Sequence, residues 1–219
     1  MFTGMVQAMG KVVAVEHGPD HLRLTIDSQG LDLSSSGVGD SIAVNGVCLT
    51  VTKVENTIFS ADVSPETLAR TTLGDVGVDA SLNLELAVMP TTRLGGHMVS
   101  GHVDGIGDVV ERATCGEYVR MSIMVSSELA KYIAEKGSVC VNGVSLTVNA
   151  VSGECFDVML IPHTLDATNL QWLGRGSRLN IEVDMIARYV ERLMQRQVPV
   201  AERGGITREF LSQHGYIKE

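Results

Sequence analysis

Apolar and polar residues alternate over several short stretches of this chain. Leu22-Arg23-Leu24-Thr25-Ile26 repeats with a period of two, and so does Val119-Arg120-Met121-Ser122-Ile123. That period puts successive side chains on opposite faces of an extended strand. Val12 to Val15, Ile42 to Thr52 and Leu82 to Leu86 are strand-like too, with Gly or Asn-Gly punctuation between several of them. Helical signals are fewer. Ser64-Pro65-Glu66-Thr67-Leu68 and Pro162-His163-Thr164-Leu165 suit short helical turns, with Ser64 placed to cap the first and Pro65 at its first position. Ser126 to Lys136 predicts a further short helix. Towards the end, Ile186, Tyr189, Val190, Leu193 and Met194 recur at helical spacing, with Arg188, Glu191, Arg192 and Arg196 on other faces. This stripe packs either on its own chain or on identical helices of other subunits. The tail from Pro199 to Glu219 is charged, with one small apolar group at Phe210 and Leu211, and no function is read into it.

The strand-like stretches belong to a repeat with a constant offset of 97 residues. Val44-Asn45-Gly46-Val47-Cys48-Leu49-Thr50-Val51 lies over Val141-Asn142-Gly143-Val144-Ser145-Leu146-Thr147-Val148, differing only at Cys48 against Ser145. The same offset, without gaps, places Gly4 on Gly101, Val6 on Val103, Gly10 on Gly107, Phe59 on Phe156, Pro65 on Pro162 and Glu85 on Glu182. The expected organisation is two copies of one domain, 1–97 and 98–186, followed by the helix and tail of 187–219. Two copies are too few for a solenoid, so each should close on its own core. Many short strands and few helices per copy point to an all-β fold of small closed barrels, which removes exposed sheet edges.

Composition narrows the function classes. A chain of 219 residues can bury the core of one large domain or two small ones. A net charge of −9 argues against a nucleic-acid groove built from clustered Lys and Arg. No apolar run approaches the length of a membrane span, and the Met1 end has no signal-peptide core. Cys48, Cys115, Cys140 and Cys155 show no CxxC spacing and are too sparse for a disulfide framework. Reduced thiols in a cytoplasmic protein are expected, and no zinc site, since no histidine pairs with a cysteine at finger spacing.

Nucleotide loops, GxSxG and HExxH are missing, which leaves the places where the two copies differ. A cysteine in an apolar strand is first a small buried hydrophobe; Cys48 becomes a nucleophile only beside a base or a positive field. His97 and His102 supply partners in Gly95-Gly96-His97-Met98-Val99-Ser100-Gly101-His102, a segment otherwise readable as a glycine hinge. His102 stands where the first copy has Met5, as Cys48 stands where the second has Ser145. Two pockets of one shape with different reactive groups suit two copies of one ligand in different roles. Asp184 replaces Ala87 and serves either chemistry or a helix cap. Asp62, Glu66 and Thr67, lying over Met159, His163 and Thr164, suit either a polyol or a solvated helix start.

Met1-Phe2-Thr3-Gly4-Met5-Val6-Gln7, the doubled Asn-Gly-Val-x-Leu-Thr-Val and Gly95 to Asp104 resemble the signatures of the riboflavin synthase family. The resemblance covers both repeats and the Tyr189-Val190-Glu191-Arg192-Leu193 helix. It implies two six-stranded antiparallel Greek-key barrels and a C-terminal helix that assembles homotrimers. It also implies sites formed between the first barrel of one subunit and the second barrel of its neighbour. Each site would hold two molecules of 6,7-dimethyl-8-ribityllumazine, which react to riboflavin and 5-amino-6-(ribitylamino)uracil with neither metal nor organic cofactor.

By the same resemblance, Gly4, Met5 and Val6 and Gly101, His102 and Val103 face the pteridine rings, and Cys48, Leu49 and Thr50 and Ser145, Leu146 and Thr147 line the two pockets. Asp62, Val63, Ser64, Pro65, Glu66 and Thr67, and Met159, Leu160, Ile161, Pro162, His163 and Thr164, hold the ribityl chains, with Lys136 nearby. Phe2, Ser41, Cys48, His97, His102 and Asp184 match positions implicated in catalysis. Departures are Met5 where Ile is common, Asn142 where many members have Asp, and His163 where Glu is frequent. Association with a lumazine synthase shell is left open.

The competing expectation is a non-catalytic lumazine- or flavin-binding antenna protein of the same superfamily; such relatives tend to lose the GGH segment and the reactive cysteine, both kept here. A flavin-dependent reductase would need a nucleotide-binding α/β domain that the remaining residues cannot build. A purely structural tandem barrel leaves the asymmetric Cys and His unexplained.

Overall fold

The computed structural model describes residues 1–18, 21–195 and 208–216. Arg196, most of the tail after it and the Phe210 side chain lie outside the described residues. The first copy supplies β1 (Ala8–His17), β2 (Leu22–Asp27), β3 (Ser41–Val44), β4 (Val47–Glu55), β5 (Ile58–Val63), α1 (Pro65–Arg70), a 3-10 turn (Thr72–Asp75) and β6 (Ser81–Leu86). The second supplies β7 (Gly105–Cys115), β8 (Tyr118–Met124), α2 (Ser127–Ala130), β9 (Ser138–Val141), β10 (Val144–Ser152), β11 (Cys155–Leu160), α3 (Pro162–Ala167), a 3-10 turn (Asn169–Trp172) and β12 (Arg178–Val183). Each set closes into one antiparallel six-stranded barrel, in the order β1-β2-β5-β4-β3-β6 and the matching β7-β8-β11-β10-β9-β12. Two barrels from one repeat were expected, and two barrels form.

Alternation explains the cores. Leu24, Ile26, Phe59, Leu82 and Leu84 point inward in the first barrel, and Met121, Ile123, Phe156, Leu179 and Ile181 in the second, all fully buried. Each such side chain contributes about 1.5–3 kcal/mol by leaving water. The ladders slip register at Val12/Ala14 and Val51/Lys53, and again one repeat later at Val109/Glu111 and Val148/Ala150. These matched bulges bend the long strands enough for so small a sheet to close.

Local readings mostly hold. Ser64 caps α1 by accepting from the Thr67 N–H at 3.2 Å, with Pro65 opening the helix. β5 and β11 go beyond the stretches read above as strands. The helix expected over Ser126 to Lys136 shrinks to Ser127–Ala130. Beyond it the chain proceeds by three-residue turns, because Ile133 must enter the barrel core and Lys136 adopts a left-handed backbone before β9.

The barrels meet about a pseudo-twofold axis on which equivalent residues touch each other. Phe2 and Val99, 97 residues apart, exchange both backbone hydrogen bonds, at 2.7 and 3.1 Å. The Asn45-Gly46 and Asn142-Gly143 hairpin turns abut: a Cβ on Gly46 would lie 2.7 Å from the Gly143 nitrogen, so only glycine fits. Asn83 donates to the Asn142 carbonyl and Asn180 to the Asn45 carbonyl, each at 2.9 Å. Asn45 and Asn142 in turn accept the backbone N–H groups of Asn83 and Asn180, both at 2.8 Å. This reciprocity is how a twofold interface satisfies buried polar groups.

The two copies also interleave. Val6 packs on the second barrel's core, and Val103 packs on the first. Each barrel is therefore completed by the short arm that precedes the other one, residues 2–6 and 99–103. After β12 come α4 (Met185–Gln195) and α5 (Arg208–Gln213). On α4, Ile186, Tyr189, Val190, Leu193 and Met194 are exposed, and none of its residues is buried. Among the described residues, no helix is long and apolar enough to cross a membrane.

Candidate active site

On β3 and β4 the pairs Ser41–Thr50 and Ala43–Cys48 lie directly opposite, on the face away from the barrel core. On β9 and β10 the equivalents are Ser138–Thr147 and Cys140–Ser145. The arms cover these outer faces crosswise. The Cys48 N–H donates to the Gly101 carbonyl at 2.8 Å, and the Ser145 N–H to the Gly4 carbonyl at 2.8 Å. Both glycines have positive φ, +79° and +73°, and a Cβ on either would overlap its neighbour, 2.6 Å from the Cβ of Cys48 or Ser145. The Gly101-His102-Val103 arm therefore belongs with Cys48, and the Gly4-Met5-Val6 arm with Ser145. Two departures from symmetry, Cys48 and His102, thus lie on backbone segments joined directly to each other through Gly101.

His97 belongs to the other one. Its Nδ1 shares a 2.7 Å hydrogen bond with the Ser145 hydroxyl, while Nε2 is buried without a hydrogen-bond partner among the described residues. Burial pushes the imidazole below its usual range, opposed by the negative charges of Asp184 and Glu182. Asp184, immediately before α4, is thus placed within electrostatic reach of His97. Phe2 is fully buried with Ala43, Val99 and Cys140 in a small apolar cluster on the axis, against which Cys48 packs. It shapes the pocket from behind. Burial, with the charges of Glu182 and Glu85, drives the Cys140 thiol well above its ordinary value, which suits the structural reading of that cysteine.

Other expected residues scatter around these centres. Ser41 lines a cavity of about 420 Å³ together with Met5, Val6, Asp40 and Arg93. Arg23 grips Asp62 with two hydrogen bonds, 2.7 and 3.0 Å, which holds that carboxyl below its usual range. Glu66 pairs with Arg70 one helical turn on, at 3.0 Å. Ser64, Pro65 and Thr67 sit at the start of α1; Pro162, His163 and Thr164 open α3 after Ile161, which has no side-chain cap. His102, Thr50, Lys136, Thr147 and Met159 are exposed, and Leu146 is half-buried. Leu49, Val63 and Leu160 point into the barrel cores, so only their backbone is open to a ligand.

Sequence reasoning missed the groups that hold the arms. The Glu182 carboxylate accepts the Ser100 N–H (2.7 Å), the Ser100 hydroxyl (2.6 Å) and the Gly101 N–H (2.9 Å). Glu85 does the same for Thr3 N–H (2.7 Å), Thr3 hydroxyl (2.7 Å) and Gly4 N–H (3.0 Å). Burial raises the Glu85 pKa against these hydrogen bonds. The available signal was the repeat itself, which matches Glu85 to Glu182 and Asn83 to Asn180 in otherwise apolar strands.

Comparison with known proteins bears on this arrangement. The lumazine binding domain model matches twice, over residues 3–87 and 100–184. The chain is 43% identical to riboflavin synthase of Photobacterium phosphoreum over 99% of this chain and all of that protein. It is 45% identical to that of Mycobacterium tuberculosis, over 89% of this chain and 98% of the other. The Bacillus subtilis enzyme is 37% identical over 99% of this chain and all of its own length. The chain belongs to the riboflavin synthase family. The tandem barrel of this family member is also similar to LumP. The LumP structure complexed with riboflavin superposes with a TM-score of 0.78 at 25% identity, covering 84% of this chain and 99% of that one. The LumP structure complexed with 6,7-dimethyl-8-(1'-D-ribityl) lumazine gives 0.76 at 24% identity, with the same coverage, and shows likeness of fold.

Proposed function

We propose that this chain carries out the riboflavin synthase reaction, a dismutation of two molecules of 6,7-dimethyl-8-ribityllumazine. A four-carbon unit passes from donor to acceptor, leaving riboflavin and 5-amino-6-(D-ribitylamino)uracil. The observation that carries this reading is one frame holding two like pockets with unlike chemistry: Cys48 beside the His102 arm, Ser145 beside His97. A dismutation asks for that, since identical substrates must take different roles. Atoms and electrons balance between the two substrates, so no external oxidant is required. Binding, orientation and proton transfer are left to the chain.

In this reading His102 takes a proton from the methyl group on C7 of one lumazine. Cys48 or Ser41, directly or through water, assists nucleophilic addition at C7 of the donor. His97 orients the Ser145 hydroxyl, with Asp184 supporting the imidazole. The Gly4–Val6 and Gly101–Val103 backbones face the rings, while Asp62–Thr67, Met159–Thr164 and Lys136 serve the ribityl chains. The exposed apolar residues of α4 support assembly as a homotrimer in the cytoplasm, with each complete site shared between the first barrel of one subunit and the second of its neighbour. Association with lumazine synthase is a matter for direct binding measurement.

The test is to incubate the purified chain with 6,7-dimethyl-8-ribityllumazine, without added cofactor, and follow riboflavin by absorbance and chromatography. One riboflavin is expected for every two lumazines consumed. Tight binding without turnover would instead make the chain an antenna or carrier protein.

A further inference from the structure

Two buried carboxylates, Glu85 on β6 and Glu182 on β12, have no part in the chemistry assigned above. We propose that they are positioning residues acting crosswise: Glu182, on the second barrel, sets the geometry of the Cys48 pocket on the first, and Glu85, on the first barrel, sets that of the Ser145 pocket on the second. The proposal rests on reading these pockets as the sites of lumazine chemistry.

The linkage is short. Gly101 is tied on its N–H side to Glu182 at 2.9 Å and on its carbonyl side to the Cys48 N–H at 2.8 Å. His102 follows directly. Gly4 is tied in the same way to Glu85 at 3.0 Å and to the Ser145 N–H at 2.8 Å. One glycine thus joins a carboxylate in one barrel wall to the residue facing the pocket of the other. Moving the carboxylate shifts the arm, and with it the imidazole of His102 relative to the Cys48 thiol.

A carboxylate suits this task better than a neutral side chain. Both of its oxygens accept, and hydrogen bonds to a charged acceptor are shorter and about twice as strong as neutral ones. An amide in its place would turn N–H donors towards N–H donors. A buried charge is costly unless fully hydrogen-bonded, and each of these accepts three hydrogen bonds, all from the arm. Neither forms an ion pair among the described residues. The hydrogen bonds of these carboxylates are therefore spent on the arms, although the charge of Glu182 is also felt at His97.

The experiment compares Glu182→Gln and Glu85→Gln in the full-length protein. Carboxamidomethylation of Cys48 by iodoacetamide is followed by mass spectrometry, with exposed Cys115 as internal reference, and kcat and KM are measured alongside. Glu182→Gln should speed Cys48 alkylation several-fold and lower kcat by roughly 10- to 100-fold with little change in KM, as for a misplaced reacting group. Glu85→Gln should lower kcat yet leave Cys48 alkylation at the wild-type rate, although it lies in the same barrel as Cys48. Ser100→Ala, which removes only the hydroxyl bond, should shift alkylation in the same direction by less, and carries the test if Glu182→Gln does not fold. Equal Cys48 alkylation in wild type and the Glu182 or Ser100 variants, or an equal change in Glu85→Gln, overturns the crosswise assignment. Alkylation needs no turnover, so a wild type without riboflavin formation refutes the functional reading while the alkylation pattern still decides this one.

Discussion

The first barrel presents a cysteine under an arm that carries a histidine; the second presents a serine under an arm that carries a methionine. Around those four positions the two barrels are nearly superimposable in their devices. Both bulge at the same ladder positions, turn through Asn-Gly at the axis, and tie their own arm with a glutamate. They part again at the pocket mouth. Asp62 is clamped by Arg23, whereas the position over it is Met159, and Arg120 turns to Glu111 at 2.8 Å instead. Ser64 caps α1, but Ile161 cannot cap α3. The barrels share most of their scaffolding; what they do not share includes the outer face of two strands, the arm position of His102 and Met5, the start of one helix, and α2, which the described residues form only in the second barrel. Unlike groups at matching positions of a duplicated frame are what divided roles for two like ligands would require.

The largest effect that should break the comparison is His102→Gln. Loss of a general acid–base group costs about 10²–10⁴-fold in rate, so riboflavin formation should fall by at least about 10²-fold. Met5→Gln, the same change on the other arm, should have a much smaller effect. Unchanged turnover in His102→Gln would make the arms chemically equivalent.

Glycine should behave symmetrically instead. Gly101→Ala and Gly4→Ala each force a Cβ against a neighbour at positive φ, and each should destabilise by about 2–4 kcal/mol from combined strain and overpacking. Urea denaturation should show similar midpoint losses for both. A large inequality would mean that the arms are not equivalent scaffolding.

Ser64→Ala should cost about 1 kcal/mol through the lost cap on α1. Thr164→Ala in the uncapped α3 removes no corresponding cap bond, and the same denaturation series compares them.

The smallest expected effect is in pH dependence. Burial holds folded His97 below its unfolded value of 6.5. Above that value both states are neutral and His97 contributes nothing to the slope. As pH falls through it, the unfolded chain takes up a proton that the folded protein refuses, so stability declines until the lowered folded pKa is reached. Glu85 acts in the opposite sense: its folded pKa lies above 4.5, so it favours the folded state increasingly as pH falls through its raised value towards 4.5. Replacing His97 by Gln should therefore flatten the acid side of the stability curve as pH falls through 6.5, read from urea midpoints against wild type. An identical slope would place His97 in solvent.

Much of the frame was legible because alternation and repetition are properties of the linear chain. Leu22 to Ile26, its counterpart one repeat on and the Ser64-Pro65 start of α1 declared themselves from residue type and spacing. So did Cys48 and His102, because each breaks an otherwise matching copy. Alternation also misled at β6. Leu82-Asn83-Leu84-Glu85-Leu86 reads as apolar in and polar out, yet both Asn83 and Glu85 are buried. The pattern identifies which face a side chain is on; only packing decides whether that face meets water or another barrel. The Ser126–Lys136 helix failed for a related reason, since Ile133 was needed in the core.

The sequence by itself determined that there are two copies of one β domain, which strands build them, and where the copies differ chemically. Tertiary structure alone decided that the arms cross over, so that Gly101 and His102 belong with Cys48, while Gly4 and Met5 belong with Ser145. The same docking set His97 on Ser145, and Glu85 and Glu182 each hold the arm of their own copy where it lies on the other barrel. Strand formation depends on period-two patterning within a few residues. These pairings join residues from 48 to 141 positions apart, and they arise only when the two barrels dock about their axis.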